Sequence, residues 1–358
     1  MNFPEMKIGD LTCRLPIVQG GMGVGISMAG LASAVANEGG IGVIAGAMIG
    51  IDEPDISVDP AAANVRALKR EIQKARSLSN GIIGVNIMVA MTHYADLVKA
   101  AIEEGIDVIF SGAGLPLDLP GYLTPGAKTK LVPIISSGRA AKLISQKWLS
   151  RYNYLPDAFV LEGPMAGGHL GFNTEQIDDP DYSLEILLKD VLGAIAPLAK
   201  NKGVSIPVIV AGGIYTGDDI HKYLKLGAAG VQMGTRFVAT HECDADAAFK
   251  EKFLTAKKAD LIIIKSPVGM PGRAIRNAFL DKVSSGNKKP FTCPYHCVKT
   301  CDRLKSPYCI ALALAAARKG RFKKGFAFAG ANAYRVDRIL SVKELIESLR
   351  MEFSVAST

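Results

Sequence analysis

The sequence predicts an α/β protein that folds as a (β/α)8 TIM barrel with a C-terminal, cysteine-containing helical extension. Eight short apolar runs, of the kind found in buried parallel strands, recur along the chain as far as Gly234. Segments with helical periodicity lie between most of these runs. Many of the runs end in glycine or in a polar residue, as expected where barrel strands meet at a common mouth.

The predicted strands are rich in Val, Ile and Leu and are bounded by turn residues. They are Pro16–Gly20, Ile41–Ala45, Ile82–Met88, Asp107–Ser111, Leu131–Ser136, Ala158–Glu162, Pro207–Ala211 and Gly230–Gly234. The predicted helices between them are Ser27–Glu38, Ala61–Ser77, Tyr94–Glu104, Arg139–Ser150, Leu184–Lys200 and Gly217–Leu226. Only the fourth connection, LPLDLPGYLTPGAKTK, has little helical pattern. Eight strands favour a closed barrel over an open doubly wound sheet.

We predict a division into a barrel, residues 1–250, and an appended part, residues 251–358, packed on it. Glycine and proline in KSPVGMPGRAIRN, Lys265–Asn277, predict a loop over the barrel mouth rather than a strand. Met270 and Arg273 of this loop are candidates for substrate contact, and a connector without such contact is the alternative. Two further helices are predicted over Ile310–Arg318 and Ser341–Leu349.

Composition and charge exclude several classes of protein. The chain has 42 Lys and Arg against 34 Asp and Glu, a net charge of +8, which is modest for 358 residues. No helix-turn-helix, zinc finger or alternation of basic and aromatic residues indicates nucleic-acid binding. Apolar runs end well before the roughly 18 residues that a membrane span requires. The N-terminal residues are charged and lack an apolar signal core, so we expect a cytoplasmic location. Pairing into a homodimer is left open.

Two glycine-containing loops follow the last two predicted strands. They contain Gly212 and Gly213 after one strand, and Gly234 and Thr235 after the next. In barrels these loops commonly bind phosphate, and glycine lets backbone N–H groups approach an anion closely. We therefore predict a phosphate site here, with ordinary turns as the alternative.

A third glycine-rich loop, LEGPMAGGHLGF, follows the sixth predicted strand and contains a histidine. Gly167 and Gly168 permit close approach of a flat ring, and they place His169 at the predicted mouth. An imidazole near neutral pKa can give or take a proton. The alternative is a histidine that makes structural hydrogen bonds only.

Four motifs together resemble the nitronate monooxygenase family, which includes the FMN-dependent enoyl-acyl-carrier-protein reductases of the second type. They are QGGM with GVG (Gln19–Gly25), GVN (Gly84–Asn86), AGGH (Ala166–His169), and AGGI followed by GVQMGTRF. The resemblance extends over Pro16–Asn277.

The resemblance implies a barrel that binds FMN noncovalently at its mouth. His169 corresponds to the active-site histidine of the family. The residues implied in cofactor binding are Gly21, Met22, Gly23, Asn86, Glu162, Gly167 and Gly168 around the ring, and Gly212, Gly213, Gly234 and Thr235 at the phosphate.

Three functions stay open at this stage. The first is oxidation of alkyl nitronates or a related small substrate, with His169 as acid or base. The second is an NAD(P)H-dependent reductase of the enoyl-reductase type acting on an acyl substrate, which SGAGLP at Ser111–Pro116 and QGGM favour. The third is a non-enzymatic flavin and iron-sulfur redox sensor. Since no GxGxxG motif of the Rossmann type is present, NAD(P)H is expected only as a transient reductant.

The segment CPYHCVKTCDRLKSPYC carries four of the six cysteines of the chain. Clustered thiols in a chain predicted to be cytoplasmic indicate metal or redox chemistry rather than disulfides. Four thiolates suit a [4Fe-4S] cluster, which we predict, or zinc, and free thiols are the third interpretation. The predicted ligands are Cys293, Cys297, Cys301 and Cys309.

Overall fold

The computed structural model describes residues 3–287, 293, 295–302 and 304–357. The strands in these residues are β1 (Met6–Ile8), β2 (Leu11–Cys13), β3 (Ile17–Gln19), β4 (Gly42–Ala45), β5 (Ile83–Met88), β6 (Val108–Gly112), β7 (Lys130–Ile135), β8 (Phe159–Glu162), β9 (Gly168–His169), β10 (Val208–Ala211), β11 (Gly230–Met233), β12 (Leu261–Lys265) and β13 (Pro271–Ile275). The helices are α1 (Ala29–Asn37), α2 (Pro60–Leu78), α3 (Tyr94–Glu103), α4 (Gly138–Tyr152), α5 (Leu184–Lys202), α6 (Gly217–Lys225), α7 (Thr235–Val238), α8 (Ala247–Thr255), α9 (Ala278–Ser284), α10 (Ile310–Arg318) and α11 (Val342–Ala356).

Eight parallel strands form the central sheet, in the order β3-β11-β10-β8-β7-β6-β5-β4. The two ends of this order meet, because Val18 of β3 bridges Ile41 directly before β4 and the Gln19 N–H donates to the Ile41 carbonyl at 2.9 Å. The sheet therefore closes into a barrel. All eight predicted strands are present, so the predicted (β/α)8 fold is confirmed.

The barrel interior is a packed core rather than a pore. Side chains from alternate positions fill it, among them Val18, Val43, Phe110 and Val160, each with no exposed surface. The β1–β2 hairpin adds Met6, Ile8 and Cys13 to the same cluster. Because this hairpin covers the amino ends of the strands, the open mouth lies at their carboxyl ends.

Several helices begin at a capping side chain. Asp59 caps α2 by accepting from the Ala62 N–H at 3.0 Å, and Thr216 caps α6 within a capping box. The fourth connection contains only a short 3₁₀ turn over Leu119–Tyr122, in agreement with its weak helical pattern. Ser341 caps α11, which packs against α6 and α1 on the outside of the barrel.

The prediction of a loop over Lys265–Asn277 is wrong in part. Strands β12 and β13 pair antiparallel from Leu261↔Ile275 to Lys265↔Pro271, and β13 also pairs with β9. Proline is tolerated because Pro271 is the first residue of its strand. Gly269, which has a positive φ, forms the tight turn before it. The glycine and proline residues of this segment therefore belong to a hairpin turn. They do not predict the pairing of β13 with β9, which depends on tertiary structure.

The appended part continues with α9, α10 and α11, and the predicted helix over Ile310–Arg318 coincides with α10. Arg318 and Lys319 at its end both contact Asp52. The division at residue 250 stays a prediction. Among the described residues, no helix combines the length and the apolar character needed to cross a lipid bilayer.

Candidate active site

A cavity of about 480 Å³ occupies the mouth of the barrel, at the carboxyl ends of the strands. Its walls come from all eight barrel strands or the loops that follow them, from β9, and from the appended part of the chain. Every residue predicted to bind cofactor or to act in catalysis lines it: Gly21, Met22, Gly23, Asn86, Glu162, Gly167, Gly168, His169, Gly212, Gly213, Gly234 and Thr235.

One end of the cavity is formed by the loops after β10 and β11. Gly212 and Gly213 have positive φ values of +94° and +88°, and a Cβ on Gly212 would lie 2.8 Å from the Gly163 carbonyl oxygen. Asn332 fixes this loop by donating from Nδ2 to the Gly213 carbonyl at 2.7 Å. Within the described residues, the N–H groups of Gly213 and Gly234 donate to no other atom of the protein. Unpartnered backbone donors in such loops suit an anionic group.

A second wall is formed by the loop after β3, which adjoins the loop after β11 and lies against β5. A Cβ on Gly21 would lie 2.4 Å from Cβ of Asn86, so only glycine allows this approach. The Met22 N–H donates to Ser27 Oγ at 2.9 Å, which fixes the loop. The wall thus presents backbone to the cavity at Gly21 and a carboxamide at Asn86.

Glu162 ends β8 and lines the cavity floor. Burial raises its pKa from 4.5 to about 7, because a charged carboxylate loses hydration there. Near neutral pH this carboxyl therefore exists in both protonation states, and its neutral form can donate a hydrogen bond.

His169 lies on β9, and the small sheet of β12, β13 and β9 positions it. Its Nε2 lies 2.7 Å from Ser266 Oγ, and its ring meets Phe328 edge-on with 5.0 Å between centroids. Burial lowers the pKa of His169 from 6.5 to about 4. The imidazole is therefore neutral over the physiological range, with one nitrogen that donates and one that accepts.

Arg273 does not contact the cavity in the way the sequence suggested. It is 7% exposed, and its Nη1 donates to the carbonyl of Pro164 at 2.6 Å and to that of Ala166 at 2.8 Å. The guanidinium thus ties the loop before His169 to β13. Met270, the other candidate from this segment, does line the cavity.

Several residues of the site are not predicted by the sequence. Phe328, Met88 and Met165 line the cavity, and Phe328 contacts His169. Ser266 contacts His169 from behind the lining. Met88 ends a predicted strand and was identifiable from that position. Ser266 and Phe328 come from segments far along the chain, and no local pattern indicates that they reach the barrel mouth.

The cysteine segment lies beside the cavity. Cys297 lines it and its carbonyl accepts from the Thr92 N–H at 3.1 Å, while Cys309 caps α10 and is buried. Cys293 and Cys301 are each partly exposed. In the part of the chain that the structure describes, no three His, Cys, Asp or Glu side chains are arranged to hold a metal ion. The predicted [4Fe-4S] cluster therefore gains no support here and stays a prediction, as do zinc and free thiols.

Comparisons with known proteins agree with this geometry. The family model described as nitronate monooxygenase matches residues 5–352. An indene-carboxyl-CoA dehydrogenase of Mycobacterium tuberculosis is 31% identical over 273 residues, which cover 76% of this chain and 66% of that protein. A probable nitronate monooxygenase of Staphylococcus aureus is 26% identical over 310 residues, 76% of this chain and 79% of the relative.

Solved structures show the same fold. FabK from Thermotoga maritima has a TM-score of 0.72 and 29% sequence identity, and the alignment covers 96% of this chain and 93% of that one. A nitroalkane oxidase from Streptomyces ansochromogenes has a TM-score of 0.73 at 24% identity, over 96% and 97% of the two chains. The second likeness bears on the fold alone.

Replacing Arg273 should destabilise the protein more than replacing an exposed arginine nearby. Arg273→Leu leaves two buried carbonyls without their donor, so we expect a loss of about 2–4 kcal/mol in the free energy of unfolding. Arg276→Leu is the matched control, because Arg276 makes an exposed ion pair with Asp281 and its replacement should change the free energy of unfolding much less. Urea denaturation measures both, and equal losses would contradict the role assigned to Arg273.

The raised pKa of Glu162 predicts a pH-dependent difference between the wild type and Glu162→Gln. In the native flavin-free protein the carboxyl keeps its proton up to about pH 7, whereas in the unfolded chain it ionises near 4.5. The stability advantage of wild type over the variant should therefore be complete below pH 4.5 and decline as the pH rises through 7. Denaturation at several pH values measures it, with exposed Glu347→Gln as control. If the free energy of unfolding depends on pH in the same way for wild type and Glu162→Gln, the prediction is wrong.

Proposed function

The chain belongs to the nitronate monooxygenase family, a family of oxidoreductases, and from this membership and the site we propose that it is an FMN-dependent oxidoreductase. The chain spans 66% of the length of the dehydrogenase relatives that it matches, so their substrates come into consideration only as proposals. The observation that carries the proposal is the neutral His169 at the barrel mouth, in the same cavity as the glycine loops after β10 and β11.

The residues present fit FMN. A cavity of about 480 Å³ is within the size range of cofactor sites, and unpartnered N–H groups of Gly213 and Gly234 suit the phosphate. Gly21 exposes backbone that a flat ring can approach, and Asn86 and Glu162 offer donors and acceptors to its polar edge. FMN, when bound, supplies the capacity to accept and return electrons.

His169 is the candidate acid and base. As a neutral imidazole it accepts a proton at one nitrogen, while Ser266 Oγ holds Nε2 and fixes the ring orientation. In nitronate oxidation it would orient the substrate or take its proton. In reduction of an unsaturated acyl group it would bind the substrate, or pass its N–H proton to carbon while its other nitrogen takes up a proton from solvent or Ser266. Phe328 and β13 pack against His169 and exclude water from the part of the imidazole ring that they cover.

A second reaction, NAD(P)H-dependent reduction of an unsaturated acyl substrate, is favoured by the apolar character of the cavity. Met88, Leu115, Met270, Val298 and Phe328 all line it. This surface exceeds what a small nitronate needs and suits a longer chain. The similarity to FabK over 96% of the chain points in the same direction.

Replacing His169 should impair turnover without removing the cofactor. For His169→Asn we expect kcat/KM to fall about 100- to 1,000-fold, because general acid and base catalysis is lost. The flavin absorbance of the purified variant should match wild type. Exposed His241, outside the cavity, provides the control variant His241→Asn, which should be fully active. Undiminished turnover in His169→Asn would exclude the proposed role.

Nitronate oxidation and acyl reduction are distinguished by the compound that reduces, and so bleaches, the bound flavin. Anaerobic bleaching by NADH or NADPH, reversed by an enoyl thioester, supports the reductase. Bleaching by an alkyl nitronate, with oxygen uptake on reoxidation, supports the monooxygenase. Protein that binds FMN and responds to neither would contradict both reactions and favour a flavin-containing sensor.

A further inference from the structure

A second cavity, of about 290 Å³, lies on the outer side of the loops after β10 and β11. It shares no lining residue with the cavity at the barrel mouth. Its walls are the loop at Tyr215, helix α7, residues 335–338 and one face of α11. It is therefore a separate compartment, adjacent to the predicted phosphate cradle.

Three arginines line this second cavity, and one aromatic ring holds two of them. The guanidinium carbons of Arg236 and Arg335 lie 4.6 and 4.3 Å from the ring centroid of Tyr215. Arg236 also donates from Nη1 to the Tyr215 carbonyl at 3.0 Å. Arg338 is the third arginine. Within the described residues none of the three has a carboxylate oxygen within 4.0 Å, so their charges are not neutralised by an ion pair.

Two carboxylates, Glu352 and Asp337, also line the cavity and offset part of the positive charge of the arginines. Glu352 is already engaged, because its carboxylate accepts from the Gly217 N–H at 2.7 Å and from Ser348 Oγ at 3.0 Å. Asp337 is exposed and forms no ion pair with the described residues. The three cationic side chains outnumber the two anionic ones. The ring of Tyr215 orients Arg236 and Arg335, and the hydrogen bond to the Tyr215 carbonyl further restrains Arg236.

We propose that this cavity binds the phosphate monoester of a phosphorylated ribose. Planar guanidinium groups bind phosphate through paired N–H donors, and arginines already held on an aromatic ring lose little entropy on binding. A volume of about 290 Å³ lies at the lower limit for ligand sites, so it suits one sugar phosphate rather than a whole dinucleotide.

Two cosubstrates of the reactions proposed above would present this chemistry. One is the 2′-phosphate of NADPH, and the other is the 3′-phosphate of a coenzyme A thioester. The inference does not depend on either reaction, because phosphate binding is measured without turnover and with the flavin cavity either filled or empty.

Isothermal titration calorimetry of the full chain, with and without saturating FMN, tests ligand binding at the second cavity. The ligands are adenosine 2′-phosphate, adenosine 3′-phosphate, inorganic phosphate, and adenosine as the form without phosphate. We expect one of the phosphorylated ligands to bind whether or not FMN is present, and adenosine not to bind. Arg335→Gln and Arg338→Gln should each weaken binding about tenfold. Arg350→Gln, an exposed arginine of α11 outside the cavity, should leave it unchanged.

Preference for the 2′-phosphate identifies the NADPH type of ligand, and preference for the 3′-phosphate identifies the coenzyme A type. Inorganic phosphate binding as tightly as either nucleotide would overturn the ribose assignment. Absence of binding at millimolar concentration, or equal binding by wild type, Arg335→Gln and Arg338→Gln, would overturn the site itself. Failure of FMN to bind while adenosine phosphate still binds would refute only the proposed flavin function.

Discussion

The hydrogen bonds from the buried guanidinium of Arg273 to the carbonyls of Pro164 and Ala166 join the two parts of the molecule that make the site. The barrel supplies the loop after β8, and the appended hairpin supplies β13. Pairing of β13 with β9 then fixes His169 at the mouth, where Ser266 and Phe328 contact its ring. Without this link the barrel would keep its glycine loops, but the segment that leads into His169 would lose its side-chain hydrogen bonds to the appended part.

Burial makes the interior of the site less charged than its exterior. It raises the pKa of Glu162 to about 7 and lowers that of His169 to about 4, because each group loses hydration in its charged form. A neutral, largely apolar cavity suits an aromatic ring and an apolar substrate. The arginines that line the second cavity lie outside this compartment, where water and counterions solvate them. Charge thus remains available for recognising anions without disturbing the pKa values of the interior.

The sequence predicted the barrel well because each of its strands is defined locally. Short apolar runs mark all eight, and most of them end in or are followed by glycine or a polar residue. Their common direction places their carboxyl ends together. The same logic brought Asn86, Glu162 and Gly213 to one cavity. It failed for Arg273, whose partners lie more than 100 residues away, and for the hairpin, whose turn residues resemble those of a loop. Contacts between the appended part and the barrel depend on tertiary packing, which no short pattern encodes.

The central claim is that main-chain donors after β10 and β11 hold the phosphate of a flavin nucleotide at the barrel mouth. Titrating flavin-free protein with FMN and with riboflavin, while following quenching of flavin fluorescence, tests it directly. The account predicts one FMN per chain, bound at least about tenfold more tightly than riboflavin, since each charge-assisted hydrogen bond to the phosphate adds affinity. Equal affinity for the two flavins, or no binding of either, would contradict it.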